Sequence, residues 1–572
     1  MFCRSHLCRS FLIVLLSFGT FSCQRKAPGP PARFAIVKFE NLSGDPSLDW
    51  AGRAASEYLS RSLEHAVDGT VLSPESLTRR AAGLGIEPSG APGITAQRTD
   101  ALVAGATRLI SGYFEKAGNG FRVTATDEDL ATHRTVRILS AVEPEPVKAL
   151  AQLAREIAPR AGPYLTSNPD VLRLYVTALD RTPAEAVPSL EQALQKDPDF
   201  GPAWVSLVNL TNVRGDRAAA LDLIAKASAR KIDPLDRADL DLTRANIAND
   251  RNQRIEALRR ISALNPADSS LIRSLAELES SAGRFADAAR DWSKLEAAAP
   301  NDVDALNQMG YTRAWSGDLP GALTALRRYA QLKPADPNPL DSTGDVQFLY
   351  RRFSDAASSY LQANAKSPQF QAGGELYKAA WAQFRAGDKA KADASFRDFK
   401  IARAKTSSAG LELFEADWLY RTGRPKEAVA LLRASSPSPT ADAQLAIWDL
   451  MAGDRPAAAK EFAGMTQIPS AAVLVARFVS LPSATAEEWD QRADHMIQGA
   501  GADGVRRLAL TFALILDGKK DAARTVLDKL VETSPATDFF PRALLAKLKG
   551  EAPKLALLPD SSSVNQLRAL VD

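Results

Sequence analysis

A glycine pattern, scattered histidines, three of them beyond the first 23 residues, and three clustered cysteines are the residues here whose types could do chemistry, and each pattern is incomplete. Gly499-Ala-Gly-Ala-Asp-Gly504 matches the G-x-G-x-x-G spacing that cradles a pyrophosphate. That chemistry needs a strand leading into the glycines, and residues 486–497 read as helix, so the segment reads as a loop between helices. His65, His133 and His495 lie far apart, outside any H-E-x-x-H or Asp/His spacing that holds a metal, and read as solvated or core residues. Cys3, Cys8 and Cys23 all fall in the first 23 residues, which excludes a disulfide framework, a thiolate metal cluster and a cysteine nucleophile from everything that follows. Carboxylates are spread over helix faces with no acid and base pair set apart. No catalytic, metal or cofactor site is expected, and the chain reads as a binding protein and not as an enzyme.

The elements that would position a binding surface must be sought over a long chain. At 572 residues it exceeds a single hydrophobic core, so several domains or one extended repeat array are expected. An apolar fraction of 45% and a charged fraction of 24% are those of a folded protein. The net charge of +3 comes from basic residues interspersed with acidic ones, which is no nucleic-acid footprint.

Residues 1–23 have the layout of an export signal. Arg4 and Arg9 precede the apolar run Phe11–Gly19, which is too short to span a bilayer. Ser22 and Cys23 follow, and Gln24–Arg33 reads as a stiff Pro-rich tether. This arrangement resembles a bacterial lipoprotein signal, with Cys23 as the lipidated first residue. Thr20 departs from the aliphatic residue usual three positions before that cysteine, and an ordinary cleaved signal would leave Cys23 incidental. The resemblance implies a membrane contact through an N-terminal lipid anchor and, with Gln24 and not Asp after the cysteine, an outer-membrane lipoprotein facing the periplasm.

Residues 34–160 read as a small α/β domain. Phe34–Phe39 is β-prone and runs into the turn formers Glu40–Pro46, Leu48–Leu63 carries apolar residues at helical spacing, and Leu109–Phe114 and Phe121–Ala125 flank an Asn-Gly turn. Phe39-Glu-Asn-Leu-Ser-Gly-Asp-Pro46, Ala106–Gly112 and Phe121–Thr126 resemble the α/β domain related to the amino-terminal domain of TolB. The segment Ala131-Thr-His-Arg-Thr135 departs from the turn usual there.

Residues 167–541 repeat. Pro266, Pro300, Pro334 and Pro368 follow one another at 34 residues, as do Ala288, Ala322 and Ala356, and Gly283, Gly317 and Arg351. Each position has a task in a helical hairpin: glycine caps the first helix, the Asp after it caps the second, and alanine lets the two helices approach. Larger apolar residues such as Trp292, Leu326 and Phe396 fill the layer between hairpins. The pattern resembles the tetratricopeptide repeat, which implies a mainly α solenoid of about ten hairpins preceded by the α/β domain. The register is weak over Leu235–Pro266 and Ala471–Gly499, and residues 542–572 are set apart as a C-terminal tail.

The family resemblance implies a concave face lined by the first helix of each hairpin, which holds a protein or peptide partner. Carried over position by position, that groove comprises Asn209, Asn212, Thr243, Asn246, Arg273, Asn307, Tyr311, Trp315, Asp345 and Phe348. Amides there can bond an extended backbone, and exposed aromatics can anchor apolar side chains. Val205 and Asp239 stand where the family's carboxylate clamp needs basic residues, so a C-terminal carboxylate is not the ligand expected of that groove. The expected function is an envelope scaffold for protein interaction. The alternative is a sensor in which the α/β domain binds a small molecule or cell-wall fragment.

Overall fold

Alternation along the first β-prone run decides the architecture of the N-terminal domain: Phe34 and Ile36 face one way, Ala35 and Val37 the other, and all four are buried. A strand buried on both faces needs a layer on each side. The computed structural model describes residues 32–64, 66–67, 69–72, 94–266, 268–435, 438–463, 470–499 and 502–559. Residues 1–31, with the expected signal, Cys23 and most of the expected tether, lie outside these residues, as does His65, while Ala32 and Arg33, expected to end the tether, open the first strand.

β1 (Ala32–Ile36) pairs in parallel with β3 (Gly69–Leu72) and with β4 (Arg108–Ala117). β4, β5 (Gly120–Asp129) and β6 (Arg134–Glu143) form an antiparallel meander, so the order is β3-β1-β4-β5-β6, with the short β2 (Glu40–Asn41) beside β4. α1 (Asp49–Leu63) and α3 (Pro146–Ile157) share a core with Phe34, Ile36, Ile110 and Phe114, while α2 (Ile94–Val103) contributes Ala101 to a second core with Ala35, Val37 and Leu109. The turn formers after β1 are organised by Asn41, whose Nδ2 donates to the Asp45 carbonyl at 2.9 Å and to Asp49 Oδ1 at 2.6 Å, while its Oδ1 accepts from the Ser43 N–H at 3.0 Å. Gly112 is required because the Phe39 ring lies against it: a Cβ there would sit 2.4 Å from that ring. The divergent segment Ala131–Thr135 holds a β5–β6 turn with His133 exposed in the left-handed region at φ 55°.

Twenty-three helices follow α3 among the described residues, arranged as eleven successive pairs and one last helix. The pairs are α4/α5 (Pro169–Leu179, Pro183–Lys196), α6/α7 (Gly201–Val213, Arg217–Ser228), α8/α9 (Pro234–Ile247, Arg251–Leu264), α10/α11 (Ser269–Ser281, Phe285–Ala298), α12/α13 (Val303–Ser316, Leu319–Leu332) and α14/α15 (Asn338–Leu349, Phe353–Lys366). They continue as α16/α17 (Gly374–Arg385, Lys389–Thr406), α18/α19 (Leu411–Arg421, Pro425–Ala434), α20/α21 (Pro439–Met451, Arg455–Glu461), α22/α23 (Ala471–Val479, Ala486–Met496), α24/α25 (Ala502–Leu516, Lys520–Thr533) and the lone α26 (Phe539–Lys549). The fold is a mainly α, tetratricopeptide-like solenoid preceded by a small mixed-sheet domain.

Each residue type in the repeat does its expected work. Gly215, Gly283, Gly317, Gly387, Gly423, Gly453 and Gly518 all take positive φ at the end of a first helix. Asp216, Asp318, Asp388 and Asp454 accept a hydrogen bond from the third backbone N–H beyond. The seven alanines five positions after the glycines, Ala220, Ala288, Ala322, Ala392, Ala428, Ala458 and Ala523, have no exposed surface, which is what close approach of two helices demands.

The stretch Leu235–Pro266, where the register is weak in sequence, is a regular hairpin. Asn249, 34 residues after Gly215, takes the left-handed cap at φ 51°, and Asp250 caps α9 through the Gln253 N–H. Asn tolerates that conformation, so the geometry persists without glycine. Arg254 stands where the other hairpins have alanine, and Ile255, Ala257 and Ile261 supply the buried side of α9. The second weak stretch is helical but irregular: α22 packs against α20 and α24, α23 lies against α24, and Phe478 meets the fully buried Trp489 at 5.1 Å between ring centroids. Helix α23 stands where a dinucleotide site would need a strand.

The N-terminal domain is joined to the solenoid by packing as well as by sequence. Helix α1 lies on α4, Tyr58 stacks on Tyr164 at 4.7 Å, and one core runs from the sheet to Leu240 of α8.

Candidate functional site

The 34-residue register places residues 209, 243, 277, 311 and 345 at one position of successive first helices, and the structure splits this row into two environments. On α6 and α8 the position is open. Asn209 is exposed, and Thr243 on the next first helix donates its hydroxyl to Asn209 Oδ1 at 3.3 Å. One turn further, Asn212 is half-buried and Asn246 exposed. Thr243 and Asn209 thus make a rung between neighbouring helices, and Asn212 and Asn246 lie further along the same two helices.

A cavity of about 460 Å³ opens beside this rung, bounded by α1 of the N-terminal domain and by α4, α6 and α8. Arg61 of α1 reaches across it to Asp233 at 2.7 Å and Asp236 at 3.1 Å. Asp236 is 5% exposed, its second carboxylate oxygen has no partner, and burial pushes it up to about 7 despite the opposing pull of Arg61. Arg61 therefore ties the two domains through a partly desolvated ion pair.

Toward the middle of the array the row turns inward. Arg273 is engaged with Asp302 at 2.5 Å and lies over the Trp292 ring at 5.7 Å. Asn307 is half-buried, with its side-chain oxygen inaccessible and unpartnered. Tyr311 donates its hydroxyl to Asp345 at 2.8 Å, and Tyr360 does the same from α15. Lys378 of α16 meets Asp341 at 2.8 Å and Asp345 at 3.1 Å. Burial raises Asp341 to about 6, the neighbouring Asp345 adding to the shift and Lys378 opposing it. The attraction of both carboxylates outweighs burial at Lys378 and holds its ammonium above the ordinary lysine range. Glu375 has no exposed surface, neither of its side-chain oxygens has a partner, and burial lifts it to about 7.

Three of the expected groove residues therefore sit elsewhere than on an open face. Asp345, at 6% exposure, and Phe348, at 4%, point between helices, Asp345 into the ionic network and Phe348 against Phe353 at 5.0 Å. Trp315 is sandwiched by packing: its ring lies 5.6 Å from Phe285 of the preceding hairpin, 5.7 Å from Tyr311 and 6.0 Å from Phe539 of α26. Helical spacing shows that Tyr311 and Trp315 share a side of α12, but not what covers that side.

What covers it is the end of the chain. The Ala536 N–H donates to the Ser281 carbonyl at 2.8 Å, α26 follows, and residues 551–559 run across the ends of α14 and α16. The Ala556 N–H donates to the Leu349 carbonyl at 2.9 Å, and Arg351 donates to the carbonyls of Pro553, at 2.8 Å, and Lys554. The apolar spacing of Leu544, Leu545 and Leu548, followed by Leu555-Ala-Leu-Leu558, is a signal that these residues pack onto something.

His133 and His495 are exposed and belong to no cluster, and among the described residues no group of three or more His, Cys, Asp or Glu side chains is placed to hold a metal. Among the same residues no helix is long and apolar enough to cross a membrane.

With the geometry in view, the class is that of a helical-hairpin solenoid whose repeats follow the tetratricopeptide pattern. A tetratricopeptide-repeat family model matches residues 376–401, from the start of α16 into α17. No curated protein matches the chain. Among solved structures, YrrB, described as a TPR protein with an unusual peptide-binding site, is 15% identical over 32% of this chain and 93% of its own, with a TM-score of 0.26. PilF of Pseudomonas aeruginosa is 16% identical over 38% of this chain and 97% of its own, with a TM-score of 0.24. The Naa15/Naa10 complex bound to HypK-THB is 13% identical over 66% of each chain, with a TM-score of 0.35.

Proposed function

We propose that the chain is a non-enzymatic scaffold that holds a protein or peptide partner on the first-helix face of its early hairpins, with Asn209, Asn212, Thr243 and Asn246 as the contact row. The observation that carries this reading is the amide and hydroxyl row on α6 and α8, which is open where the corresponding positions on α12 and α14 are filled. Side-chain amides offer a donor and an acceptor each, the pair an extended peptide backbone needs. The adjoining cavity gives such a peptide a place for one side chain. In the same reading the scaffold belongs to the cell envelope, anchored through Cys23, and its first domain is TolB-like.

A photo-crosslinking residue placed singly at Asn209, at Asn246 and, as a control, at Ile138 on the outer face of β6 tests the surface. Crosslinks to one discrete partner from the first two positions and not from the third are expected; equal crosslinking from all three would overturn the assignment. Cys23→Ser should move the protein from the membrane to a soluble envelope fraction, and unchanged retention would remove the anchor. The cavity itself favours a second reading, in which a small ligand bound between α1 and α8 reports through the domain contact. Its distinguishing result is a thermal shift with small molecules that Asp236→Asn abolishes.

A further inference from the structure

The returning C-terminal segment closes a second cavity, of about 470 Å³, over the ends of α14, α16 and α18. Trp381 gives it an apolar wall, and four cations line it, Arg351, Arg385, Arg421 and Lys547, against the single carboxylate of Glu551. The cations are held in place by different means. The Arg421 guanidinium lies 4.0 Å from the centre of the Trp381 ring, pairs with Asp417 at 3.3 Å and is only 11% exposed. Arg385 rests over Phe353 at 5.4 Å and is exposed. Arg351 grips the carbonyls of Pro553 and Lys554.

Arg351 carries an independent sign that this corner is built. It occupies the left-handed cap, at φ 58°, that is glycine at the end of seven other first helices. A side chain there is conformationally disfavoured, and such outliers persist where the surroundings hold them in place. The strain holds an arginine where the tail crosses.

We propose that this cavity binds a carboxylate carried on an apolar stem, the side chain or terminus of an acidic segment of a protein partner. Guanidinium groups present paired N–H donors matched to a carboxylate, and the exposed Arg385, stacked on Phe353, is the one placed to offer them, while Arg421, held by Asp417 and Trp381, forms part of the positive wall. The excess of positive lining charge draws an anion toward the opening, and the half-buried Leu555 and Leu557 of the returning segment offer its methylene groups an apolar surface. The site uses none of the groove residues on α6 and α8. It rests on the scaffold reading only in assigning the anion to a protein, and it exists because α26 and residues 551–559 fold back.

Fluorescence anisotropy tests it on the full chain with a fluorescein-labelled hexapeptide of alternating Glu and Leu, its Gln and Leu counterpart, and inorganic phosphate as competitor. The Glu peptide should bind at least about tenfold more tightly than the Gln peptide at low salt. Arg385→Glu, an exposed position whose change leaves the fold intact, should remove that difference, and Arg385→Lys should restore part of it. Asn209→Ala with Thr243→Ala should leave the preference for the Glu over the Gln peptide unchanged, because that row meets a backbone and not a charge, so failure of the groove on α6 and α8 reads separately from failure here. Equal binding of the two peptides, or an Arg385→Glu variant that binds normally, overturns the site. Competition by millimolar phosphate as strong as by unlabelled Glu peptide would assign the cavity to a free anion instead.

Discussion

The early and middle stretches of one repeat array carry the same register and use it in opposite ways. At positions 209 and 243 the row is polar and uncharged, and a hydrogen bond of 3.3 Å between the exposed Asn209 and the half-buried Thr243 contributes little to stability. At positions 311 and 345 the row turns inward: Tyr311 is half-buried, Asp345 is buried, and Asp345 receives two tyrosine hydroxyls and an ammonium. A solenoid can thus spend one structural position on a surface in one hairpin and on internal wiring a hundred residues later. What decides between them is the neighbour: α14 is followed by a hairpin that delivers Lys378 and Glu375, and α26 lies over α12, whereas nothing among the described residues covers α6 and α8 beyond the cavity wall.

The largest way to break this contrast is to remove the cation. Lys378→Met leaves Asp341 and Asp345 buried without their counter-charge and should cost about 3 to 5 kcal/mol in urea unfolding. Asn209→Ala should stay within about 0.5 kcal/mol. Equal effects would mean that the two stretches do not differ.

Acid sharpens the contrast. Glu375 holds its proton up to about 7 when folded and to its ordinary value of 4.5 when unfolded, so the folded state binds the proton more tightly. The stabilisation is complete below 4.5 and is lost as pH rises through 7. Between pH 8 and pH 4.5 this one group should contribute about 3 kcal/mol at most. Asp236, also raised to about 7, adds in the same direction at the domain junction. Glu375→Gln should remove only its own share of the slope, and a slope unchanged by that variant would relocate the effect.

The register itself is the next target. Ala322 has no exposed surface and packs with Ala314, Leu326 and Val346, so Ala322→Leu should overpack this contact and cost about 1 to 3 kcal/mol. A neutral result would displace the hairpin boundary at α12 and α13.

Sequence made the hairpins legible because glycine, aspartate and alanine at these positions serve the backbone, and backbone requirements repeat. The α8/α9 hairpin was hidden because Asn249 meets the same requirement with a different side chain and Arg254 replaces the small residue. The candidate site was legible only where nothing covers it. Asn209 and Thr243 are local properties of a helix face, but the burial of Trp315 depends on Phe539, more than two hundred residues away, and that of Asp345 on Lys378 in the next hairpin. Periodicity assigns a residue to a face of its own helix, and a returning chain end has no period to announce it.

The smallest expected effect separates the two stretches most cleanly, because it makes one change at one register position in each. Asn249 and Arg351 both stand at the left-handed cap, three repeats apart. Asn249→Gly relieves a conformation that Asn already tolerates and should shift stability by about 0.5 kcal/mol or less. Arg351→Gly relieves a larger strain, about 1 to 2 kcal/mol for an ordinary side chain, and removes two hydrogen bonds to the tail carbonyls that contribute about 1 kcal/mol each. The terms offset to within about 1 kcal/mol, so global unfolding should change little in either variant. Local behaviour should diverge. Without its clamp the segment from Pro553 to Ala556 relies on the bond to the Leu349 carbonyl, the packing of Ala556 and the anchorage of the adjoining Leu557 and Leu558, so its amides should exchange faster and trypsin should cut more readily after Lys554. Asn249→Gly should leave both readouts as they are. If Arg351→Gly leaves cleavage at Lys554 unchanged, the tail is held by its apolar contacts alone and the strained arginine belongs to the cavity it lines.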